Sequence, residues 1–232
     1  MNCNDYIAVF DSGLGGISVL RELEKLMPNE RYLYFGDRKN APYGVKTTAQ
    51  VRQLTLCAAK RLMSKGCKAL VVACNTATAA AIKDLRQAYP DKIIVGIEPA
   101  LKPAAEQFPD GPIGIMATDV TLREEKLSAL MEHYPNTELV RIPAPGLVER
   151  IEAQQPTQEL LQQILNPYRH KLKALVLGCT HYPLVRDTIS AILPETVLFD
   201  GGEGTARQTK RLLEQQGLLH AGPGSTEYLE AE

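Results

Sequence analysis

The sequence predicts an α/β protein of two similar α/β domains with largely parallel sheets and an active site in the cleft between the domains. Three observations support this fold class. Short apolar runs alternate with helical patterns along the chain, three of these runs recur in the same order about 105 residues later, and the central run is followed by a cysteine both times. Sheets of this kind bind ligands at the carboxyl ends of their strands.

The strongest part of the repeat is a strand followed by a thiol and hydrogen-bonding side chains. Residues 68–76 read KALVVACNT, and residues 173–181 read KALVLGCTH. Two further pairs have nearly the same offset, residues 7–12 with 113–118 and, more loosely, residues 93–96 with 197–200. Buried parallel strands resemble one another in composition, but this does not explain the matched cysteine and polar residues that follow them. We therefore predict two α/β halves of one design.

Length and composition favour a two-domain protein with a small-molecule partner. The 232 residues include 26 basic and 27 acidic side chains, so no long-range field attracts nucleic acid or acidic membranes. We predict one domain from residues 1–98 plus 207–232 and a second from residues 99–206. No signal-peptide pattern and no apolar stretch of ~20 residues is visible, so a cytoplasmic location is expected. Five cysteines without a CxxC pair predict free thiols and no metal site.

The first half alternates strands and helices without interruption. A strand at residues 7–12 leads into a glycine-rich turn and a helix at 18–27 with leucines at helical spacing. The turn lacks the spacing of a dinucleotide-binding motif, but its N–H groups and the helix N-terminus favour an anionic ligand. The remaining predicted elements are a strand at 32–35, a loop at 40–44 that offers a hydroxyl, a helix at about 48–64, a strand at 68–72, a helix at about 76–89 and a strand at 93–97.

The second half repeats this alternation. Proline-containing segments at residues 98–103 and 109–112 flank a short helix and mark the crossing between halves. The predicted elements are then a strand at 113–116, a helix to about 131, a strand at 139–142, a loop turning into a helix at 144–152, a helix at about 157–172, the second cysteine strand and a helix at about 205–216. The last helix is expected to pack on the first half. Residues 217–232 are predicted to form a loose tail.

Cys74 and Cys179 each stand where a strand ends and a helix is predicted to begin. The dipole and free N–H groups of a helix N-terminus favour a thiolate. A thiol with an unperturbed pKa of ~8.5 needs about 2 kcal/mol to ionise at pH 7, which one helix terminus and one or two hydrogen bonds can supply. Cys3, Cys57 and Cys67 lack this setting and are predicted to be packing or surface residues.

Four segments carry a resemblance to a known family: DSGLGG at residues 11–16, NAPYG at 40–44, CNTA at 74–77 and GCTHYPL at 178–184. In this order they closely resemble the signatures of the aspartate/glutamate racemase family, and in particular its glutamate-converting bacterial members. The resemblance runs from about residue 7 to residue 207. The pair of cysteine segments carries most of its specificity, since a glycine-rich turn alone is common.

The resemblance implies a cofactor-independent isomerase that interconverts L- and D-glutamate with two cysteines and supplies D-glutamate for peptidoglycan. Inversion needs a base on one face of the α-carbon and an acid on the other, and two thiols that share one proton meet this need in both directions. Cys74, assisted by Asp11, is expected to deprotonate D-glutamate. Cys179, assisted by His181 and Glu152, is expected to deprotonate L-glutamate. The substrate-binding residues implied are Asp11, Ser12, Pro42, Tyr43, Gly44, Asn75, Thr76, Thr118, Thr121, Thr180 and His181.

Other functions remain open. An aspartate racemase is the nearest alternative, but such relatives typically carry Glu after the second Cys-Thr, so His181 favours glutamate. A cysteine-dependent hydrolase would survive the loss of one of the two thiols, and a binding protein would not exchange the α-proton. The resemblance further implies a homodimer that requires no nucleic acid, membrane or metal. The chain departs from the family's usual residues at Asp119, Val120, Ala144 and Gly201.

Overall fold

The computed structural model of the chain describes residues 2, 4–123 and 125–229. Cys3, which was predicted to be a packing or surface residue, lies outside these ranges, as do residues 230–232 of the predicted tail. The described residues form two separate parallel sheets, each flanked by helices.

The first sheet consists of five parallel strands, β1 (Tyr6–Asp11), β2 (Arg31–Gly36), β3 (Cys67–Val72), β4 (Ile93–Gly96) and β9 (Ser225–Tyr228). Their order across the sheet is β4-β3-β1-β2-β9. Strand β3 is buried along its whole length because helices cover both faces of the sheet. This explains the continuous apolar run before Cys74.

The second sheet consists of four parallel strands, β5 (Ile113–Ala117), β6 (Leu139–Pro143), β7 (Ala174–Leu177) and β8 (Val197–Asp200). Their order is β6-β5-β7-β8. Without β9, the first sheet has this same arrangement, because in both sheets the first strand of the unit lies between its second and third. The repeated sequence runs form corresponding strands, and β2 and β6 complete the match although the sequence comparison did not pair them. The predicted fold class is confirmed.

Helices form a layer on each face of both sheets. In the first unit, α1 (Ile17–Leu26) and α10 (Gly202–Gln215) cover one face, and α2 (Thr48–Met63) and α3 (Asn75–Ala88) cover the other. In the second unit, α4 (Leu101–Gln107), α5 (Asp119–Arg123) and α6 (Glu125–Glu132) cover one face, and α7 (Leu147–Glu152), α8 (Gln158–Leu165) and α9 (Arg186–Ile192) cover the other. None of the helices in the described ranges is long and apolar enough to cross a membrane.

Several helices differ from their predicted lengths. Helix α8 ends at Leu165 instead of about residue 172, because Pro167 follows and the chain continues as a 3-10 turn, Asn166–Tyr168. The helix predicted to reach residue 131 is helical over Asp119–Arg123 and Glu125–Glu132, and residue 124 between them lies outside the described residues. Helix α10 begins at Gly202 and is continuous across residue 207.

The prediction of a loose tail is wrong for its described part. Lys68, at the start of β3, is fully buried, and its ammonium donates to Glu30 (Nζ···Oε2 2.6 Å) and to the carbonyl of Leu218 (2.8 Å). Glu30 also accepts a hydrogen bond from the N–H of His220 (2.9 Å). A buried ion pair is tolerated only with such additional partners. These contacts hold the segment against the first unit, where β9 then pairs with β2.

Candidate active site

The two repeated cysteines lie in one buried region between the carboxyl edges of the two sheets. Cys74 follows β3 and is 5% exposed, and Cys179 follows β7 and is 8% exposed. The charge of Cys179 acts on the pKa of Cys74. Asp11 of the first unit accepts a hydrogen bond from the Thr180 hydroxyl of the second unit (3.0 Å). The units therefore meet at the thiols.

Cys74 is the N-cap residue of α3. Its backbone is extended, and its sulfur accepts a hydrogen bond from the N–H of Ala77 at 3.4 Å. The hydroxyl of Ser12, directly after β1, lies 3.3 Å from the same sulfur. Helix α3 starts immediately after the thiol because the alanine-rich sequence at residues 77–81 strongly favours a helix.

Burial and then the Asp11 carboxylate raise the pKa of the Cys74 thiol to about 12, although the hydrogen bonds from Ser12 and Ala77 act in the opposite direction. The expectation that the helix terminus makes Cys74 a thiolate near pH 7 is therefore wrong for this site. Removing a thiolate from water costs more free energy than the helix terminus supplies. Cys74 is a neutral thiol at neutral pH.

Cys179 is supported in a different way. A 3-10 helix, Tyr182–Val185, with Pro183 near its start, separates it from α9, so its sulfur does not cap an α-helix as predicted. Instead, Sγ of Cys179 lies 3.7 Å from Nδ1 of His181. Nε2 of His181 lies 2.5 Å from Oε1 of Glu152, at the end of α7.

This histidine and carboxylate form a charged pair. Burial alone would lower the pKa of His181, but its hydrogen bonds to Cys179 and Glu152 outweigh burial and raise the pKa well above 6.5. Burial alone would raise the pKa of Glu152, but hydrogen bonds from His181 and the Leu14 N–H outweigh it and lower the pKa. An imidazolium donates from both nitrogens, so Nδ1 of His181 carries an N–H beside the sulfur of Cys179.

The glycine-rich turn brings this pair against the first unit. A Cβ on Gly13 would lie 1.9 Å from Oε1 of Glu152, and a Cβ on Gly15 would lie 2.7 Å from Nδ1 of His181, so both positions need glycine. The N–H of Leu14 donates to Oε1 of Glu152 at 2.7 Å. The turn was expected to offer its N–H groups to an anionic ligand, but this N–H binds a carboxylate of the protein.

Asp11 links the two units. Its carboxylate is fully buried and accepts hydrogen bonds from the N–H of Gly13 (2.8 Å) and the hydroxyl of Thr180 (3.0 Å). The described hydrogen bonds of Asp11 do not include Cys74. Its effect on that thiol is therefore electrostatic, through the negative charge that raises the Cys74 pKa.

Three threonine hydroxyls form a second contact between the units. Thr76 lies in the first turn of α3, Thr118 directly follows β5, and Thr121 lies in α5. Oγ1 of Thr76 lies 3.1 Å from Oγ1 of Thr118 and 3.4 Å from Oγ1 of Thr121, and Thr118 donates to Thr121 at 3.1 Å. Each hydroxyl has one proton and two lone pairs, so the group retains capacity for a polar ligand.

The loop that contains Pro42, Tyr43 and Gly44 approaches these threonines. A Cβ on Gly44 would lie 2.9 Å from Cγ2 of Thr118, so the loop reaches the second unit. The Tyr43 hydroxyl is buried and donates to Asp37 at 2.7 Å. This hydroxyl is therefore committed within the first unit, and the loop offers its backbone to the site. The sequence prediction assigned no role to Asp37, although it directly follows β2 as Ser12 directly follows β1.

Asn75 lies between the thiols and a larger cavity. Its side-chain oxygen is buried and has no hydrogen-bond partner among the described residues. A void of about 10 Å³ touches Asn75, Cys179 and Thr180, and a mostly apolar cavity of about 220 Å³ begins at Asn75 and Thr121. An unsatisfied buried amide is costly, which suits a residue that binds a polar ligand.

The structure thus brings the predicted site residues to one place between the units. A neutral thiol on one side and a thiol beside an imidazolium on the other suit the exchange of a proton across a carbon atom. In the described part of the chain, no group of three or more His, Cys, Asp or Glu side chains is arranged to hold a metal ion. A duplicated α/β fold with this site is typical of isomerases that invert a carbon centre.

Comparison with known proteins identifies the family. The family model described as Asp/Glu/Hydantoin racemase matches residues 15–209, and the chain belongs to this family. It is an amino-acid racemase. The chain is 49% identical over 222 residues to a glutamate racemase of Clostridium perfringens, a match that covers 93% of this chain and 85% of that protein.

Two solved structures are similar over nearly the whole chain. The glutamate racemase from Thermus thermophilus in complex with β-chloro-D-alanine is 36% identical, with a TM-score of 0.82 and coverage of 98% of this chain and 88% of that one. The glutamate racemase from Francisella tularensis in complex with D-glutamate is 27% identical, with a TM-score of 0.84 and coverage of 99% and 90%.

Proposed function

We propose that this racemase interconverts L- and D-glutamate without a cofactor, by proton transfer between Cys74 and Cys179. The observation that carries the proposal is the unequal support of the two thiols. Burial keeps the proton on Cys74, whose pKa is raised to about 12, while the raised pKa of His181 places an imidazolium next to Cys179. One acid and one base are then ready before the substrate reacts.

In the direction from L- to D-glutamate, the Cys179 thiolate removes the α-proton and the Cys74 thiol donates its proton to the opposite face. One α-carbon–hydrogen bond breaks and one forms. Afterwards Cys179 carries the proton and Cys74 is the thiolate, which is the state that accepts D-glutamate. The Asp11 carboxylate makes the Cys74 thiolate a stronger base. The imidazolium of His181, which is paired with Glu152, lies beside Cys179 and can stabilise the negative charge of its thiolate.

The substrate has two carboxylates and one ammonium group that need partners. Hydroxyl and N–H groups can bind carboxylates without an arginine. We propose that the ammonium lies near Asp11 and the buried side-chain oxygen of Asn75, since both accept hydrogen bonds, and that the other predicted residues line the pocket and supply the donors for the carboxylates. These are Ser12, Pro42, Tyr43, Gly44, Thr76, Thr118, Thr121, Thr180 and His181, with Tyr43 acting through its backbone because its hydroxyl binds Asp37.

Two lines of support favour glutamate over other amino acids. The relatives reported above are named glutamate racemases, and one of them holds D-glutamate. His181, in contact with Cys179, occupies the place where aspartate-converting relatives typically carry Glu. Aspartate is one methylene shorter, so it would leave a buried donor unpaired at a cost of roughly 1–3 kcal/mol.

Substrate entry requires the two units to separate. Both thiols are almost fully buried, and the void beside Cys179, about 10 Å³, has room for roughly one water molecule. We propose that the moving units are the domains predicted above, residues 1–98 with 207–232 and residues 99–206. The pairing of β9 with β2 and the packing of α10 on α1 support the assignment of the C-terminal residues to the first domain.

We further propose a cytoplasmic homodimer that supplies D-glutamate for peptidoglycan and needs neither nucleic acid nor a membrane. The near-neutral net charge of −1 supports independence from polyanionic partners. The cytoplasmic location follows from the expected role, since the precursors of cell-wall peptides are made there.

The test is a coupled assay for D-glutamate formed from L-glutamate, without added cofactor, after dialysis against a chelator. We expect full activity after dialysis and turnover of aspartate at least tenfold lower. Loss of activity to the chelator would contradict the cofactor-independent mechanism. Comparable turnover of aspartate would contradict the glutamate assignment, and absence of amino-acid turnover would contradict the proposed function.

A further inference from the structure

We propose that Tyr34 is a positioning residue for the Cys179 half of the reaction, because it orients the peptide group between Gly13 and Leu14, which binds Glu152. The inference rests on the proposed function. Tyr34 lies in β2 of the first unit, whereas Cys179 and Glu152 belong to the second. Its sequence context is that of an ordinary core strand.

The geometry consists of a continuous series of hydrogen bonds. The hydroxyl of Tyr34 donates to the carbonyl oxygen of Gly13 at 2.9 Å. The N–H of the same peptide group belongs to Leu14 and donates to Oε1 of Glu152 at 2.7 Å. That oxygen lies 2.5 Å from Nε2 of His181. Because a peptide group is planar, a bond that fixes its oxygen also fixes the direction of its N–H.

The peptide needs this support because of its neighbours. Gly13 and Gly15 flank Leu14, and glycine has the widest choice of backbone angles, so the turn alone does not hold one orientation. Larger residues would displace the pair, since a Cβ on Gly13 would collide with Glu152 and a Cβ on Gly15 with His181. Tyr34 lies in strand β2, and its hydrogen bond to the Gly13 carbonyl holds this peptide group in one orientation.

The Tyr34 hydroxyl remains a donor at all physiological pH values. Burial and then the negative charge of Asp11 raise its pKa far above the ordinary value of 10. The Leu14 N–H in turn lowers the pKa of Glu152. Loss of the Tyr34 hydroxyl should therefore weaken the Leu14 hydrogen bond and raise the pKa of Glu152, which reduces the negative charge available to His181.

Tyr32 provides a matched control. It lies two residues earlier in β2 and points to the same face of the sheet. Its buried hydroxyl also donates to backbone carbonyls, those of Leu23 and Met27, both at 2.9 Å. These carbonyls belong to α1 and its end, away from Glu152. Tyr32→Phe therefore removes a comparable buried hydroxyl without touching the series described above.

The experiment uses 3-chloroglutamate, whose elimination needs only one base. The thiolate removes the α-proton and chloride leaves the β-carbon; water then releases ammonium, and 2-oxoglutarate is measured. In a Cys74→Ser enzyme, elimination from the L-isomer depends on Cys179. We expect that adding Tyr34→Phe lowers this rate about tenfold and moves the acidic limb of its pH profile to higher pH. In a Cys179→Ser enzyme, the same change should alter elimination from the D-isomer less than about twofold.

Tyr32→Phe should leave both rates and the acidic limb within about twofold of the parent enzymes. Equal losses for the two isomers, an unshifted acidic limb, or the same effects in Tyr32→Phe would overturn the inference. Should Tyr34→Phe fold poorly, the carboxyl carbon of Glu152 can be titrated by NMR in the folded fraction, and an unchanged pKa would overturn it equally. If neither single-thiol parent eliminates chloride, the proposed function itself fails.

Discussion

The two copies of the sequence repeat match most closely at their cysteines, yet the surroundings of these two thiols differ. Both place a cysteine at the end of the third strand of an α/β unit. In the first unit Cys74 caps a 14-residue helix and is bonded to Ser12 and Ala77. In the second unit Cys179 caps no α-helix, and its described partner is His181, which is paired with Glu152.

This difference shows that two similar folds can give their corresponding thiols different electrostatic surroundings. Burial and then the Asp11 carboxylate make Cys74 a weak acid with a pKa of about 12, opposed among the described residues by the hydrogen bonds from Ser12 and Ala77. The second thiol, Cys179, instead lies beside His181, whose pKa is raised well above 6.5. Two thiols in identical surroundings would compete equally for one proton, whereas these two differ in the charges around them.

The largest expected effect comes from removing either thiol. Cys74→Ser and Cys179→Ser should each lower racemisation about a thousandfold or more, because a serine hydroxyl is far too weak an acid to act as the base. The values of kcat/KM for the two directions must stay equal in every variant, since enantiomers have equal free energies. Racemisation therefore cannot show which face was affected.

Elimination from 3-chloroglutamate distinguishes the faces. Cys74→Ser should retain elimination from the L-isomer, and Cys179→Ser should retain it from the D-isomer. The release of 2-oxoglutarate from each isomer measures this. If either variant eliminates both isomers equally, or racemises near the wild-type rate, the two thiols do not face each other across the α-carbon.

A second prediction compares the lysines at corresponding positions of the repeat. Lys68 is fully buried against Glu30, whereas Lys173 is exposed. Lys68→Met leaves the Glu30 charge buried without its ammonium and should lower the free energy of unfolding by about 3–5 kcal/mol. Lys173→Met should change it by less than about 0.5 kcal/mol. Denaturant unfolding measures both.

The double change Lys68→Met with Glu30→Met serves as the control. Replacing a buried ion pair by apolar side chains is often nearly neutral, so the double variant should recover most of the loss. Similar stabilities of the Lys68→Met and Lys173→Met proteins would mean that the buried pair does not distinguish the two units.

A third prediction concerns Glu152, the carboxylate that is paired with His181 beside the second thiol. Glu152→Gln should slow elimination from the L-isomer about 10- to 100-fold and change the D-isomer rate little. Because the folded pKa of Glu152 is lowered, the Cys179 half-reaction is retained above this pKa and lost as the pH falls through it. In Glu152→Gln this acidic limb should disappear from the pH profile. If the acidic limb remains in Glu152→Gln, it reports the titration of another group.

The raised pKa of His181 predicts the opposite limb. The imidazolium is present below the folded pKa and is lost as the pH rises through it, well above 6.5. The L-isomer rate should therefore also fall at high pH, with a limb that His181→Gln abolishes.

The smallest expected effect belongs to the first unit. Ser12→Ala removes one of the two hydrogen bonds that lower the pKa of Cys74, worth about 0.5–1.5 kcal/mol. Elimination from the D-isomer should fall roughly 2- to 10-fold, and elimination from the L-isomer should fall less, because Ser12 is proposed to contact the substrate in both cases and, of the two thiols, contacts Cys74. Thr55→Ala, which removes a buried hydroxyl within α2, is a suitable control. A larger effect on the L-isomer would contradict the assignment of Ser12 to Cys74.

Local patterns were sufficient for most of the fold and for the positions of the site residues. Apolar runs of four to six residues, separated by helical spacing, identified the strands of both sheets except β9, since burial on both faces requires continuous apolar sequence and β9 is a largely exposed edge strand. The cysteines after β3 and β7 could be located because side chains at strand ends of a parallel sheet meet at one edge. Proline positions explain the two helices whose lengths or starts were misjudged, near Pro167 and Pro183.

The sequence by itself determined the duplicated α/β architecture, the paired thiols and the family, because these depend on residue type and spacing along the chain. Only the tertiary structure decided which copy of each repeated residue is buried, charged or supported from the other unit. Lys68 and Lys173 are identical in local sequence, yet one anchors the C-terminal strand and the other faces solvent. Likewise, Tyr34 and Leu14 are linked to Cys179 through Glu152, which lies more than 100 residues further along the chain. Burial and hydrogen bonding across the units set these energies, and neither is encoded in a local pattern.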